Sequence, residues 1–139
     1  MAKFRKTSLT KNEIISRTRV VLEKHPNVIF AYLFGSQVRG NTTPMSDVDI
    51  AVFIEGNNLP DSKLTSIGDL IDGLETDEID LVILNTAPLS LKGRILRNRE
   101  ILVDRKPFMR HSFESLTLRE YFDFSIKEAA ILKRRYSVG

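Results

Sequence analysis

The chain has 139 residues, 42% hydrophobic and 28% charged, which suits one globular domain with a core of its own. It has no cysteine, which excludes a disulfide framework, a zinc–thiolate site and a thiol nucleophile, and fits a cytoplasmic location. The formal charge of +3 permits a polyanionic ligand without requiring nucleic acid; the basic stretch Met1 to Lys6 lacks the apolar segment of a signal peptide, and no run is long enough to span a membrane.

In chain order, Thr10-Lys-Asn-Glu13 is a capping-box pattern ahead of Ile14, Ile15, Val20, Val21 and Leu22, predicting a helix that stops near His25-Pro26. Val28 to Phe34 is a short apolar run rich in β-branched and aromatic residues, predicting a buried strand that ends at Gly35-Ser36. A short helical turn is expected from Ser36 to Gly40, then a polar loop. Val48 to Ile54 predicts a second strand, apolar on both faces beyond Asp47 and Asp49 and therefore central. Pro60-Asp61 opens a helix carrying Leu64, Ile67, Leu70, Ile71 and Leu74. Ile79 to Leu84 is a third strand with Asp80 near its start. Thr86-Ala-Pro88 signals a helix start, with Leu91, Ile95 and Leu96 as the buried stripe and Asn98 as a left-handed cap. Glu100 to Asp104 predicts an edge strand, and Pro107 precedes a helical tail. The tail aromatics, Phe108, Phe113, Phe122, Phe124 and Tyr136, are expected to pack on the core rather than form a partner face. Lys133-Arg134-Arg135 suits a solvated helix end, and neither His25 nor His111 has metal-ligand spacing.

The chemistry concentrates between Val28 and Leu84. Asp47 and Asp49 are two apart, so on a strand they share a face. Carboxylates that close repel unless protonated or bridged by a cation, and their oxygens suit a hard divalent ion such as Mg²⁺. Gly35 lets a ligand approach the backbone, and free N–H groups of a turn beginning at Ser36 would face an anion. An anion site beside a metal site points to a nucleoside triphosphate. Asp80 would join the pair if its strand were a neighbour in register. A single strand-end aspartate is most often a solvated turn residue. The joint pattern, Gly-Ser after one buried strand and aspartates opening the next two, is hard to account for as surface decoration.

Gly35-Ser36, ten residues, then Asp47-Val48-Asp49 resembles the signature of the DNA-polymerase-β-like nucleotidyltransferases. With Gly35 to Gly40 in the form Gly-Ser-x-x-Arg-Gly and a short chain, it looks most like the minimal nucleotidyltransferases (MNT), encoded beside HEPN ribonucleases as toxin–antitoxin pairs. One departure lies near Asn98-Arg99-Glu100, where relatives often carry a glycine. The resemblance implies an α/β (α+β) nucleotidyltransferase fold, a mixed sheet with flanking helices, as one domain over 1–139 with a helical tail from about 108 to 136. It implies that Asp47, Asp49 and Asp80 hold two Mg²⁺ ions, with Asp80 helping to activate the acceptor, and that Gly35 and Ser36 hold the triphosphate of ATP. Arg39 either clamps a phosphate or pairs with a loop carboxylate. The implied reaction is AMP transfer from ATP to a hydroxyl, expected to be a tyrosine's, of a cognate HEPN toxin. The chain would act as its antitoxin in a cytoplasmic hetero-oligomer, without membrane or direct nucleic-acid binding. The core uses most of the chain, leaving little to grip a small acceptor, so a partner that brings its own hydroxyl fits. The alternatives are nucleotidyl transfer to RNA or to a small molecule such as an aminoglycoside, and a non-catalytic module that neutralises a toxin by contact.

Overall fold

The computed structural model describes residues 9–35, 38, 47–56 and 59–136. Its elements are α1 (Lys11–Glu23), β1 (Val28–Phe34), β2 (Val48–Ile54), α2 (Leu59–Leu74), β3 (Ile79–Ile83), α3 (Leu89–Arg97), β4 (Arg99–Asp104) and α4 (Pro107–Tyr136). The strands form one mixed sheet in the order β3-β2-β1-β4. β1 pairs antiparallel with both β2 and β4, whereas β2 and β3 are parallel, with α2 as the crossover that parallel neighbours require. β1 and β2 are therefore central and β4 an edge, as the apolar patterning predicts.

Alternation along the strands builds a core on each face of the sheet. Leu33, Ile50, Val52 and Leu81 face α1 and α2, meeting Ile14, Leu22, Leu70 and Leu74. Phe30, Tyr32, Ala51 and Leu84 face the other way, with Ile95 and Leu96 of α3 and the half-buried Phe53 and Phe113. Phe30 and Phe53 stack at 4.8 Å between ring centres. A register shift between Val28 and Phe30 places both Ile29 and Phe30 in this second core, which strict alternation would forbid. The capping box forms as expected: the Glu13 amide donates to Thr10 Oγ1 (3.2 Å), and the Glu13 carboxylate accepts from the Thr10 amide (3.3 Å).

Two expectations need correction. Asn98 ends α3 with φ −154°, outside the left-handed region, and its N–H donates to the Ile95 carbonyl (3.3 Å). The chain passes straight into β4 at Arg99, so no left-handed cap is needed. The second concerns α4, about 45 Å long at 1.5 Å per residue. Its first half packs: Met109 and Phe113 join the core, and Tyr121 lies against Gly93, where a methyl group would overlap its ring. Beyond Tyr121 every described side chain is exposed. Phe122 and Phe124 are 65% and 47% exposed, because the sheet ends before this helix does, and Phe108 in its first turn is 86% exposed as well. Of the tail aromatics, Phe113 packs as expected and Tyr136 lies outside the described side chains. Among the described residues no helix is long and apolar enough to cross a membrane.

Candidate active site

The strand directions bring the C-terminal end of β1 and the N-terminal ends of β2, β3 and β4 to one end of the sheet. A single row of backbone partners crosses that end: Asp80 with Asp49, Asp49 with Phe34, and Phe34 with Arg99. Asp49 and Asp80 stand about 4.8 Å apart along the backbone, the spacing of hydrogen-bonded strands. Both lie on the α3 face, since Asp49 is in phase with Ala51 and Phe53, and Asp80 with Val82 and Leu84. Asp47 lies just before β2 and is exposed.

Gly35 follows Phe34 at φ +77°, a conformation that side chains disfavour. Space alone also demands glycine there, because a methyl group would overlap the Asp49 carboxylate. The Gly35 carbonyl accepts from the Val38 amide at 3.2 Å, so the backbone turns tightly at the end of β1. Gly35 and the Asp49 carboxylate are thus closely packed. Ser36, Arg39 and the rest of the expected 36–40 turn, Val38 apart, lie outside the described residues.

A cleft of ≈ 240 Å³ opens between this row and α3. Phe34, Gly35 and Asp49 form one wall, and Leu91, Arg94, Ile95 and Asn98 the other. The α3 wall is the part that sequence reasoning missed. Its signal was present: positions 91, 94, 95 and 98 follow helical spacing, but Leu91 and Ile95 read as buried stripe and Asn98 as a cap, and Arg94 was given no part. Carboxylate oxygens are the donors a hard divalent ion takes, and the Asp49–Asp80 pair supplies them on one face. Among the described residues, no three His, Cys, Asp or Glu side chains are grouped so that they could hold a metal ion, so Asp47 is not gathered with Asp49 and Asp80 as the expected triad.

Behind the row, a buried charge network fixes α4 to the sheet. The Tyr32 hydroxyl donates to Glu114 Oε2 (2.7 Å), Arg99 donates to the same oxygen from Nη2 (2.6 Å) and Nε (3.1 Å), and Arg110 donates from Nη1 to Glu114 Oε1 (2.9 Å). The Arg110 Nε also donates to Asp104 Oδ2 (2.9 Å), and the Arg99 guanidinium lies 5.3 Å from the Tyr32 ring centre. Burial opposes the charge on Glu114. The hydrogen bonds from Arg99 and Tyr32 and the charges of Arg99 and Arg110 outweigh it, holding the carboxyl below its ordinary range. Burial, reinforced by Glu114, pushes the Tyr32 hydroxyl well up, so it stays protonated as a donor.

A mixed sheet with a glycine turn and strand-partnered aspartates at one end suits nucleotidyl transfer. The family model described as polymerase beta, nucleotidyltransferase matches residues 16–108. The chain belongs to that family, and nucleotidyl transfer is its class of activity. No curated protein matches the sequence. Among solved structures, it is similar to a chain of the Shewanella oneidensis complex of a tri-AMPylated HEPN toxin with an MNT antitoxin: 21% identity over 92% of this chain and 100% of that one, TM-score 0.68. A toxin–antitoxin structure with AMP-PNP gives 25% identity over 93% and 100%, TM-score 0.69. A mutant of the MntA–HpeT toxin–antitoxin gives 26% over 94% and 100%, TM-score 0.67.

Proposed function

We propose that this chain transfers AMP from ATP to a hydroxyl of a HEPN toxin and so acts as its antitoxin. The observation that carries the proposal is the contact between Gly35 and Asp49: a turn fit for phosphates, closed against a carboxylate that is itself the strand partner of Asp80. The family match supports the reaction class. Similarity across 93% of the chain to a toxin–antitoxin bound to AMP-PNP supports an adenine nucleotide and a toxin partner. The modification would be the one borne by the Shewanella toxin.

In this account the Gly35-Ser36 turn holds the β- and γ-phosphates, with Arg39 as a second phosphate contact, and Asp47, Asp49 and Asp80 hold Mg²⁺, two ions in the full form. The metal, when bound, neutralises charge building on the attacking and leaving oxygens. The acceptor oxygen forms a bond to the α-phosphorus, the bond to the bridging oxygen breaks, and pyrophosphate leaves. Asp80, on the β3 side away from the Gly35 turn, accepts the hydroxyl proton. The exposed face of α4, with Leu118, Phe122, Ile126 and Leu132, is the surface assigned to the partner, since an apolar helix face of that extent gains by being covered. The partner's hydroxyl then reaches the open cleft.

The test is to incubate the protein with ATP, Mg²⁺ and the toxin encoded beside it, and to take the mass of the toxin. Added AMP groups that require Mg²⁺ support the proposal. An unmodified toxin, with AMP appearing instead on RNA or an aminoglycoside, would replace the acceptor.

A further inference from the structure

We propose that Asn98 reads the base of the nucleotide and makes this site prefer adenine. The inference rests on the nucleotide site proposed above and goes beyond it by naming the residue that selects the base. Phosphates at the Gly35 turn and a metal at Asp49 fill one end of the cleft. The rest of the cleft lies between Phe34 on the sheet and Leu91 and Ile95 on α3, with Arg94 and Asn98 in its lining. At ≈ 240 Å³ the cleft is smaller than those that enclose whole drug-sized ligands. A purine base has apolar faces that suit contact with Phe34 and Leu91 there.

The side chains of Asn98 and Arg94 are exposed in the cleft lining and so are open to a ligand. The N–H of the cap, Asn98, is satisfied by the Ile95 carbonyl, and its φ is not left-handed, so no asparagine-specific backbone is required. Among the described residues nothing hydrogen-bonds to its amide, and nothing pairs with the Arg94 guanidinium one turn earlier on the same wall. An amide offers a donor and an acceptor side by side. Adenine presents the complement, an amino donor beside a ring-nitrogen acceptor, whereas the matching edge of guanine presents two acceptors and would leave the amide oxygen facing another acceptor. Arg94 has a different part: a guanidinium lying over a base face attracts any purine alike.

The experiment is calorimetric titration of the intact chain with ATP and with GTP, both with Mg²⁺, for the wild type, Asn98→Ala and Arg94→Ala. The wild type is expected to bind ATP about tenfold or more tighter than GTP. Asn98→Ala should bring the two affinities together, chiefly by weakening ATP. Arg94→Ala should weaken both and keep their ratio. A wild type without preference, or an Asn98→Ala protein that keeps the wild-type ratio, overturns the inference while leaving nucleotidyl transfer standing. A wild type that binds neither nucleotide overturns both. A second measurement needs no substituted protein for its result: the side-chain amide resonance of Asn98 should move on adding AMP and stay in place on adding ribose 5-phosphate. Equal movement with both would contradict base reading.

Discussion

Gly35 and Asp49 constrain each other at the level of single atoms. The glycine holds φ +77°, and its missing side chain is the space the Asp49 carboxylate occupies. A Gly35→Ala protein should therefore lose about 1–2 kcal/mol of stability through the left-handed backbone alone. It should also lose ATP affinity by an order of magnitude or more, since the carboxylate must be displaced. Thermal melting and ATP titration check the two effects separately. A second residue-scale prediction concerns Glu114. Its carboxyl ionises more readily folded than at its ordinary value of 4.5. The resulting stabilisation is therefore fully present above 4.5 and is lost as the pH falls through the lower folded value. Glu114→Gln should flatten the acid limb of the stability curve. It should also cost on the order of 3 kcal/mol at neutral pH, because Arg99 and Arg110 lose their shared counter-charge. An unchanged acid limb would show that other carboxyls set it.

Among the elements, strands were the most legible in the sequence. Val28 to Phe34 and Val48 to Ile54 announce themselves as buried on both faces, and the structure puts them at the centre of the sheet. The aspartates could be placed at strand starts by eye, but their adjacency is a matter of register, which only the folded sheet shows. The wall formed by α3 was hidden for a related reason: Arg94 and Asn98 are unremarkable polar residues until β4 returns beside β1 and turns that helix over the site. The outer half of α4 was misjudged because apolar residues near helical spacing look the same whether they meet a core or a partner. What separates the two cases is how far the sheet extends. Phe122→Glu and Ile126→Glu together should abolish co-purification of the toxin while leaving ATP affinity and the melting temperature nearly unchanged, since both side chains are already exposed. A clear fall in melting temperature would mean that this face is core after all.

At the scale of the molecule, the fold is a sheet that brings the Gly35 turn, the aspartates and the cleft against α3 to one end, with a long helix extending an apolar face beyond it. The central claim is that these parts modify a toxin rather than merely cover it. Asp47→Asn with Asp49→Asn tests this most directly, because it keeps size and fold while removing the charge that would hold the metal. Transfer should fall about a thousandfold or more, and the double variant should be little worse than either single one, as both act in one site. The measurement is a toxin-rescue assay in cells, paired with mass spectrometry of the toxin recovered from them. The account predicts that the wild type protects and leaves AMP on the toxin, while the doubly substituted protein binds the toxin, leaves it unmodified and fails to protect. Protection by that variant with an unmodified toxin would contradict it and make contact alone the function.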